Sequence, residues 1–154
     1  MAASPEQRHA WALGHYLAAR DIWHGGRHYS WAVTALFYSA MHLVLAGLPT
    51  VPGLTIAQQN PESHEGRAHG AEGTNWVVRR YVSTISTPYL SLYDASYEAR
   101  YKGGAPSREE VRLHRAHDLA AIAEWSCEHV HRANCACCWL RDIRSRWPIS
   151  DPTI

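Results

Sequence analysis

Lysine is nearly absent from this chain: Lys102 is the only one among fifteen basic residues, and the other fourteen are arginines. Net charge is also missing. At a formal +1, no global field calls for a nucleic acid or an anionic membrane as partner. The first residues, AASPEQRHAWAL, are polar where a secretory signal needs an apolar core. The expectation is a cytoplasmic protein without a membrane partner. The longest apolar run, Trp31 to Leu48, approaches spanning length but carries Thr34, Tyr38, Ser39 and His42, which reads better as a buried core helix. Cysteine is scarce and late, at Cys127, Cys135, Cys137 and Cys138. Although His129 and His131 lie nearby, these are read as small buried or incidental thiols rather than zinc or copper ligands. No metal and no cofactor are expected. No repeat and no low-complexity tract is present.

Large side chains are plentiful. With 46% apolar residues, seven Trp and eight Tyr in 154 residues, the chain can bury one core and is not disordered through its middle. The arginines favour planar, bidentate contacts with carboxylates and phosphates.

The order of elements predicts an all-α bundle of four to five helices over residues 1–131, followed by a Cys-, Arg- and Trp-containing tail over 132–154. Ser4-Pro5-Glu6-Gln7 combines a capping serine, a proline at the first helical position and a glutamine that reaches back. The helix it opens runs to Gly25-Gly26, with Ala10, Leu13, Gly14, Leu17 and Ala18 on one face. A second helix, about Arg27 to Ala46, is apolar almost all round, which marks the centre of a bundle. Residues 48–62, with Pro49, Pro52, Gly53 and Pro61, read as a long loop. A third helical region is expected from Ser63, interrupted between Gly70 and Gly73. In its second half Val77, Val78, Tyr81, Val82 and Ile85 fit helical spacing better than strict alternation. Thr87-Pro88 predicts a further helix start, running to about Tyr101. Ser107-Arg108-Glu109-Glu110 is a capping box opening the last helix, to about His131.

Three segments, in this order, resemble the HEPN family, the higher-eukaryote and prokaryote nucleotide-binding domains. RHYSWAVTALFYSAMH at 27–42 is similar to its long second helix, which often carries a YYA-x-x-H pattern. SHEG at 63–66 resembles the S-H-x-G start of its third helix. YLSLYDASYEARYKGG at 89–104 resembles its arginine-containing helix. The resemblance covers about residues 5–131. It implies a HEPN-like bundle, a homodimer, and settings such as toxin–antitoxin systems, phage defence or RNA processing. The family's ribonucleases are similar to one another in an R-x4–6-H motif near the end of the helix that here spans 88–101. Arg100 stands there with no histidine at the required spacing.

An arginine and a histidine at related spacing occur one helix later, in RLHRAH, Arg112 to His117. At about 100° per residue, positions five apart diverge by about 140°. Arg112 falls in line with Leu119, Ile122 and Val130, and His117 with Glu110, Glu124 and Glu128. The two cannot converge on one phosphate. Arg108, Arg112 and Arg115 are expected to extend the apolar face of that helix.

Helix rows supply the candidate site. Trp31, Ala35, Tyr38 and His42 form one stripe of the second helix, with small residues Ala32, Ser39 and Ala46 beside it to admit a neighbour. His64 and Arg67 are expected one turn apart at a helix N-terminus, where free N–H groups receive a phosphate or carboxylate. Tyr93, Ser96 and Arg100 make a third row, flanked by Tyr97 and Tyr101. The alternatives remain open for each: a hydrogen-bonded core histidine at His42, a solvated turn at His64, an ion pair for Arg100. The expectation is that His42, His64, Arg67 and Arg100 line one cleft, with Tyr38 and Tyr93 as further ligand-binding residues. In the tail, Arg132, Arg141, Arg144 and Arg146 alternate with Trp139 and Trp147, a composition that can hold single strands or simply dock. Two functions follow. One is a non-catalytic module binding RNA, a nucleotide or a protein partner. The other is a metal-independent ribonuclease or small hydrolase with a non-standard His/Arg site.

Overall fold

The computed structural model describes residues 3–61, 63–67, 71–131, 142, 143 and 147. These form an all-helical bundle with one two-residue antiparallel ladder. α1 spans Pro5–His24, and its start is the capping box expected at Ser4 and Gln7. Gly26, at φ 69°, turns the chain toward α2, Tyr29–Gly47. A 3-10 turn, Leu48–Thr50, and a short α3, Ile56–Gln59, occupy the segment expected as a plain loop.

α2 is the centre. Ala32, Val33, Leu36, Phe37, Ala40, Leu43 and Val44 are all fully buried, with α1, α5 and α7 packed around them. Each fully buried leucine contributes about 1.5–3 kcal/mol relative to exposure. The helix is long and apolar enough to cross a membrane by length and composition, and most of it is buried inside the bundle. Small residues set the close approaches. Ser39 Oγ donates to the Ala12 carbonyl on α1 at 2.8 Å, and Ser126 Oγ on α7 donates to the Leu43 carbonyl at 2.7 Å. At Gly47, an added Cβ would stand 2.6 Å from the Trp125 ring.

The most buried face of α1 is offset from the row of Ala10, Leu13, Gly14, Leu17 and Ala18. Ala12, Tyr16, Ala19 and Trp23 face the core, while Ala10, Gly14 and Ala18 are exposed and Leu13 and Leu17 half-buried. The large rings decide the rotation, because burying Tyr16 and Trp23 removes more surface than burying two leucines. Both polar tips are satisfied: the Tyr16 hydroxyl donates to Asp142 Oδ2 at 2.8 Å, and Trp23 Nε1 donates to the Arg108 carbonyl at 3.1 Å.

The third helix does not begin at Ser63. Residues 63–65 form a bend, β1 (Gly66–Arg67) pairs with β2 (Ala71–Glu72), and α4 runs only over Thr74–Tyr81. Gly66, Gly70 and Gly73 each disfavour helix by about 1 kcal/mol relative to alanine, which explains the loss. α5 spans Ser83–Tyr101 and starts before the proline expected to open it. Ile85, Tyr89, Leu92 and Ser96 are buried at i, i+4, i+7 and i+11, so one packed stripe runs past Pro88. The gain outweighs the single hydrogen bond that the proline removes.

The last helical run opens with the capping box at Ser107 and Glu110 as α6, Arg108–Leu113. It continues through a π-helical turn, His114–Leu119, into α7, Ala120–His131. The wider turn rotates the residues before it relative to those after it. Arg112 therefore leaves the apolar line and pairs with exposed Glu109. Arg115 takes the buried position instead, 1% exposed. It donates to the carbonyls of Ile143 at 2.7 Å and Asp142 at 3.3 Å, with its guanidinium 4.6 Å from the Trp147 ring centre. Trp147 is itself 2% exposed and packs on Tyr16 and Trp23, so it is a core residue and not an open stacking platform. The tail arginines Arg132, Arg141, Arg144 and Arg146, and Trp139, lie outside the described residues.

Candidate functional site

The middle of α2 and the C-terminal half of α5 present aromatic and basic side chains to the same side of the bundle. On α5, Tyr93, Tyr97 and Tyr101 follow at four-residue spacing, with ring centres 6.2 Å and 5.1 Å apart in sequence order. Arg100 lies beside this ladder. Its Nε donates back to the Ser96 carbonyl at 3.2 Å, and its Nη1 reaches the Tyr38 hydroxyl of α2 at 3.5 Å. The guanidinium stands 5.0 Å from the Tyr101 ring centre and 5.9 Å from that of Tyr38. Among the described residues no carboxylate pairs with it. The residue is part of the lining of the cavity formed there.

The third wall is the bend at 63–65. Its backbone is pinned to the start of α4: the Thr74 N–H donates to the Ser63 carbonyl and the Asn75 N–H to the His64 carbonyl, each at 2.9 Å. Because no helix starts at Ser63, His64 and Arg67 do not stand at a helix N-terminus as expected. The bend instead folds the His64 ring inward, 5.2 Å from Phe37 and 6.1 Å from Tyr38. It also places Glu65 to accept a hydrogen bond from the Tyr93 hydroxyl. The result is an open cleft of about 490 Å³ between Ser63, His64 and Glu65 on one side and Tyr93, Tyr97, Arg100 and Tyr101 on the other.

His42 lies behind this cleft rather than in its lining. It stacks on His15 of α1, ring centres 5.4 Å apart and 13° between planes, and meets Trp11 edge-on at 5.3 Å. His15 also stacks on Tyr38 at 5.5 Å, which joins the two groups. The structure thus gathers Tyr38, His64, Tyr93 and Arg100 directly, with His42 one ring away through His15. The Arg67 side chain lies outside the described residues; its backbone belongs to β1.

Burial sets the charges here. It pushes His42 down to about 4, reinforced by neighbouring His15, Arg8 and His64. His64 is lowered by burial first and by Arg100 second, against a smaller opposite pull from Glu65. His15 is lowered by burial as well. All three rings are neutral at pH 7. Burial and then the bond to Glu65 hold the Tyr93 phenol up at about 12, so it stays a donor. The cleft therefore contains one guanidinium, one carboxylate and a set of neutral rings. Among the described residues, His42 Nδ1 and His64 Nδ1 are buried without a hydrogen-bond partner.

Among the described residues no group of three or more His, Cys, Asp or Glu is arranged to hold a metal ion. Cys127 is buried, and desolvation pushes its thiol up to about 11. Cys135, Cys137 and Cys138 lie outside the described residues. A second open cavity, about 500 Å³, lies at the α1–α2 turn beside Arg27, His28 and exposed Trp31. Trp31 therefore falls away from the Tyr38 site although it shares a helix stripe with it.

Two members of the site escaped the helix-row reading. Glu65 stands inside the SHEG segment, but only the bend aims it at Tyr93. His15 is one turn from Trp11 on α1, and its place depends on how α1 pairs with α2. Comparisons of this chain with family models, with curated proteins and with solved structures found no match.

Proposed function

We propose that the chain is a HEPN-like helical module that binds single-stranded RNA or a nucleotide, without cutting it, in the cleft between α5 and the 63–65 bend. One observation carries this reading: Arg100, which pairs with no carboxylate among the described residues, lines the cleft beside a ladder of three tyrosines. A guanidinium recognises phosphate by paired hydrogen bonds. Aromatic faces at regular spacing stack bases, at about 1–3 kcal/mol per base. The neutral histidines add packing and hydrogen-bonding surface without adding charge. RHYSWAVTALFYSAMH and YLSLYDASYEARYKGG, both in long helices, support the family resemblance and with it a toxin–antitoxin or phage-defence setting, whereas SHEG departs from it by lying in a bend and strand.

The test is equilibrium binding of a fluorescently labelled single-stranded oligoribonucleotide to wild type and Arg100→Ala at several salt concentrations. Wild-type binding should weaken as salt rises, and Arg100→Ala should bind at least about tenfold more weakly with a shallower salt slope. The RNA should be recovered intact. Equal binding by both proteins would remove the cleft as the site. Time-dependent cleavage that Arg100→Ala abolishes would replace binding by the ribonuclease alternative.

A further inference from the structure

The cleft is not a simple anion trap. Glu65 places a carboxylate in the same opening as Arg100, and the two form no ion pair with each other. A ligand that is anionic throughout would meet the carboxylate unfavourably. A ligand that fits must bring an anion to Arg100 and hydrogen-bond donors to Glu65, with a flat body between them for the tyrosine rings. Nucleotides have this polarity, and they do not all have it equally.

We infer that the cleft selects guanine nucleotides, with the Glu65 carboxylate reading the base and Arg100 holding the phosphate; this rests on the nucleotide-binding reading above. Guanine carries two parallel donors, N1–H and the N2 amino group, on one edge. They match the two oxygens of a carboxylate as an arginine fork does. Adenine and cytosine offer one amino group beside a ring acceptor, which would face the second carboxylate oxygen. Uracil offers one N–H flanked by two carbonyl oxygens that repel it.

The present hydrogen bonding leaves this capacity intact. The Tyr93 hydroxyl donates to Oε1 of Glu65, and no other partner is present at Oε2 among the described residues. An ionised carboxylate accepts about four hydrogen bonds, so one phenol bond leaves room for both guanine donors. The Tyr93 bond also fixes the carboxylate against the tyrosine ladder, which is where the edge of a stacked base would come. His64 is adjacent and neutral, so it does not cancel the Glu65 charge. Burial first and Arg100 second lower its proton affinity, which disfavours a competing cation at this ring near neutral pH. The specificity-determining residue is thus Glu65, held by Tyr93.

The experiment is calorimetric titration of the full chain, wild type and Glu65→Gln, with guanosine, adenosine, cytidine and uridine 5′-monophosphates at pH 7. Wild type should prefer the guanosine nucleotide by about tenfold, the discrimination a good bidentate base contact provides. Glu65→Gln keeps the shape and can still accept from Tyr93, but it offers one acceptor and one donor in place of two acceptors. It should retain binding of the adenosine nucleotide and lose most of the guanosine advantage. Equal affinities in wild type, or a guanosine preference that survives Glu65→Gln, would overturn the inference while leaving nucleotide binding standing. Failure of all four nucleotides to bind wild type would overturn the inference and nucleotide binding with it, and the oligoribonucleotide titration then decides separately whether RNA binding stands. Circular dichroism of the variant separates a lost contact from a lost fold, and Glu65→Asp, a shortened carboxylate, should recover part of the preference in a folded protein.

Discussion

Replacing Arg115 with methionine tests what the RLHRAH segment does. Arg115 is 1% exposed and holds the carbonyls of Ile143 and Asp142 at 2.7 and 3.3 Å. Methionine keeps the unbranched stem and can still place sulfur against Trp147, so little volume is lost. The substitution removes the charged donor from the Ile143 and Asp142 carbonyls. A hydrogen bond to a charged group contributes about 1.5–3 kcal/mol, and an orphaned buried carbonyl costs about 1–3 kcal/mol. Relief from burying a guanidinium opposes this, and in some proteins it prevails. Here the backbone acceptor remains after the donor is gone, so the loss should win by about 2–3 kcal/mol. In a 154-residue chain that corresponds to a Tm fall of about 5–10 °C. Thermal unfolding by circular dichroism reads it directly. His117→Ala, at an exposed position of the same turn, should leave Tm and RNA binding unchanged, and Arg112→Ala should lose only its exposed pairing with Glu109. A wild-type Tm for Arg115→Met would mean that desolvation cancels the hydrogen bonds, refuting the structural role argued for this residue.

Gly47→Ala should destabilise the bundle by about 1–3 kcal/mol, because a Cβ 2.6 Å from Trp125 must displace that ring or the helix beside it; an unchanged urea midpoint would contradict that packing. Acid should weaken the fold through His42. Its proton affinity is lower in the folded protein, at about 4 against an ordinary 6.5, so the unfolded chain binds more protons between those values. Stability from this group is complete above about pH 6.5 and is lost as pH falls toward 4, with His15 and His64 acting in the same direction. His42→Gln should flatten the wild-type decline in urea midpoint across that window; parallel curves would show that carboxylates, not this histidine, govern it.

The parts that were legible in the sequence are those fixed by local chemistry. Ser4 with Gln7 and Ser107 with Glu110 mark helix starts because each cap satisfies donors within one turn, and both boxes form. The near-uniform apolarity of Trp31 to Leu45 located the central helix because only a fully surrounded helix is apolar all round. What was not legible depends on distant partners. Tyr16 is buried because Asp142 and Trp147 meet its hydroxyl from the far end of the chain, which the residue spacing of α1 alone does not show. The 63–72 segment carries glycines that oppose helix, and the donors that replace its helical bonds come from Thr74 and Asn75. The π turn in RLHRAH has no composition signal of its own, yet it decides that Arg115 and not Arg112 is buried. At the site, the α5 row of Tyr93, Ser96 and Arg100 was visible as periodicity. The Glu65 wall was not, because a bend rather than a helix presents it.

The most direct measurement is a nuclear magnetic resonance titration of the isotopically labelled full chain with guanosine 5′-monophosphate, following the Arg100 Nε–H, the His64 ring and the rings of Tyr93, Tyr97 and Tyr101. Saturable shifts should appear at these groups while the Trp31 indole at the α1–α2 turn stays in place. Shifts confined to Trp31 and Arg27, or none at Arg100 under saturating nucleotide, would contradict the assignment of the α5 cleft as the binding site.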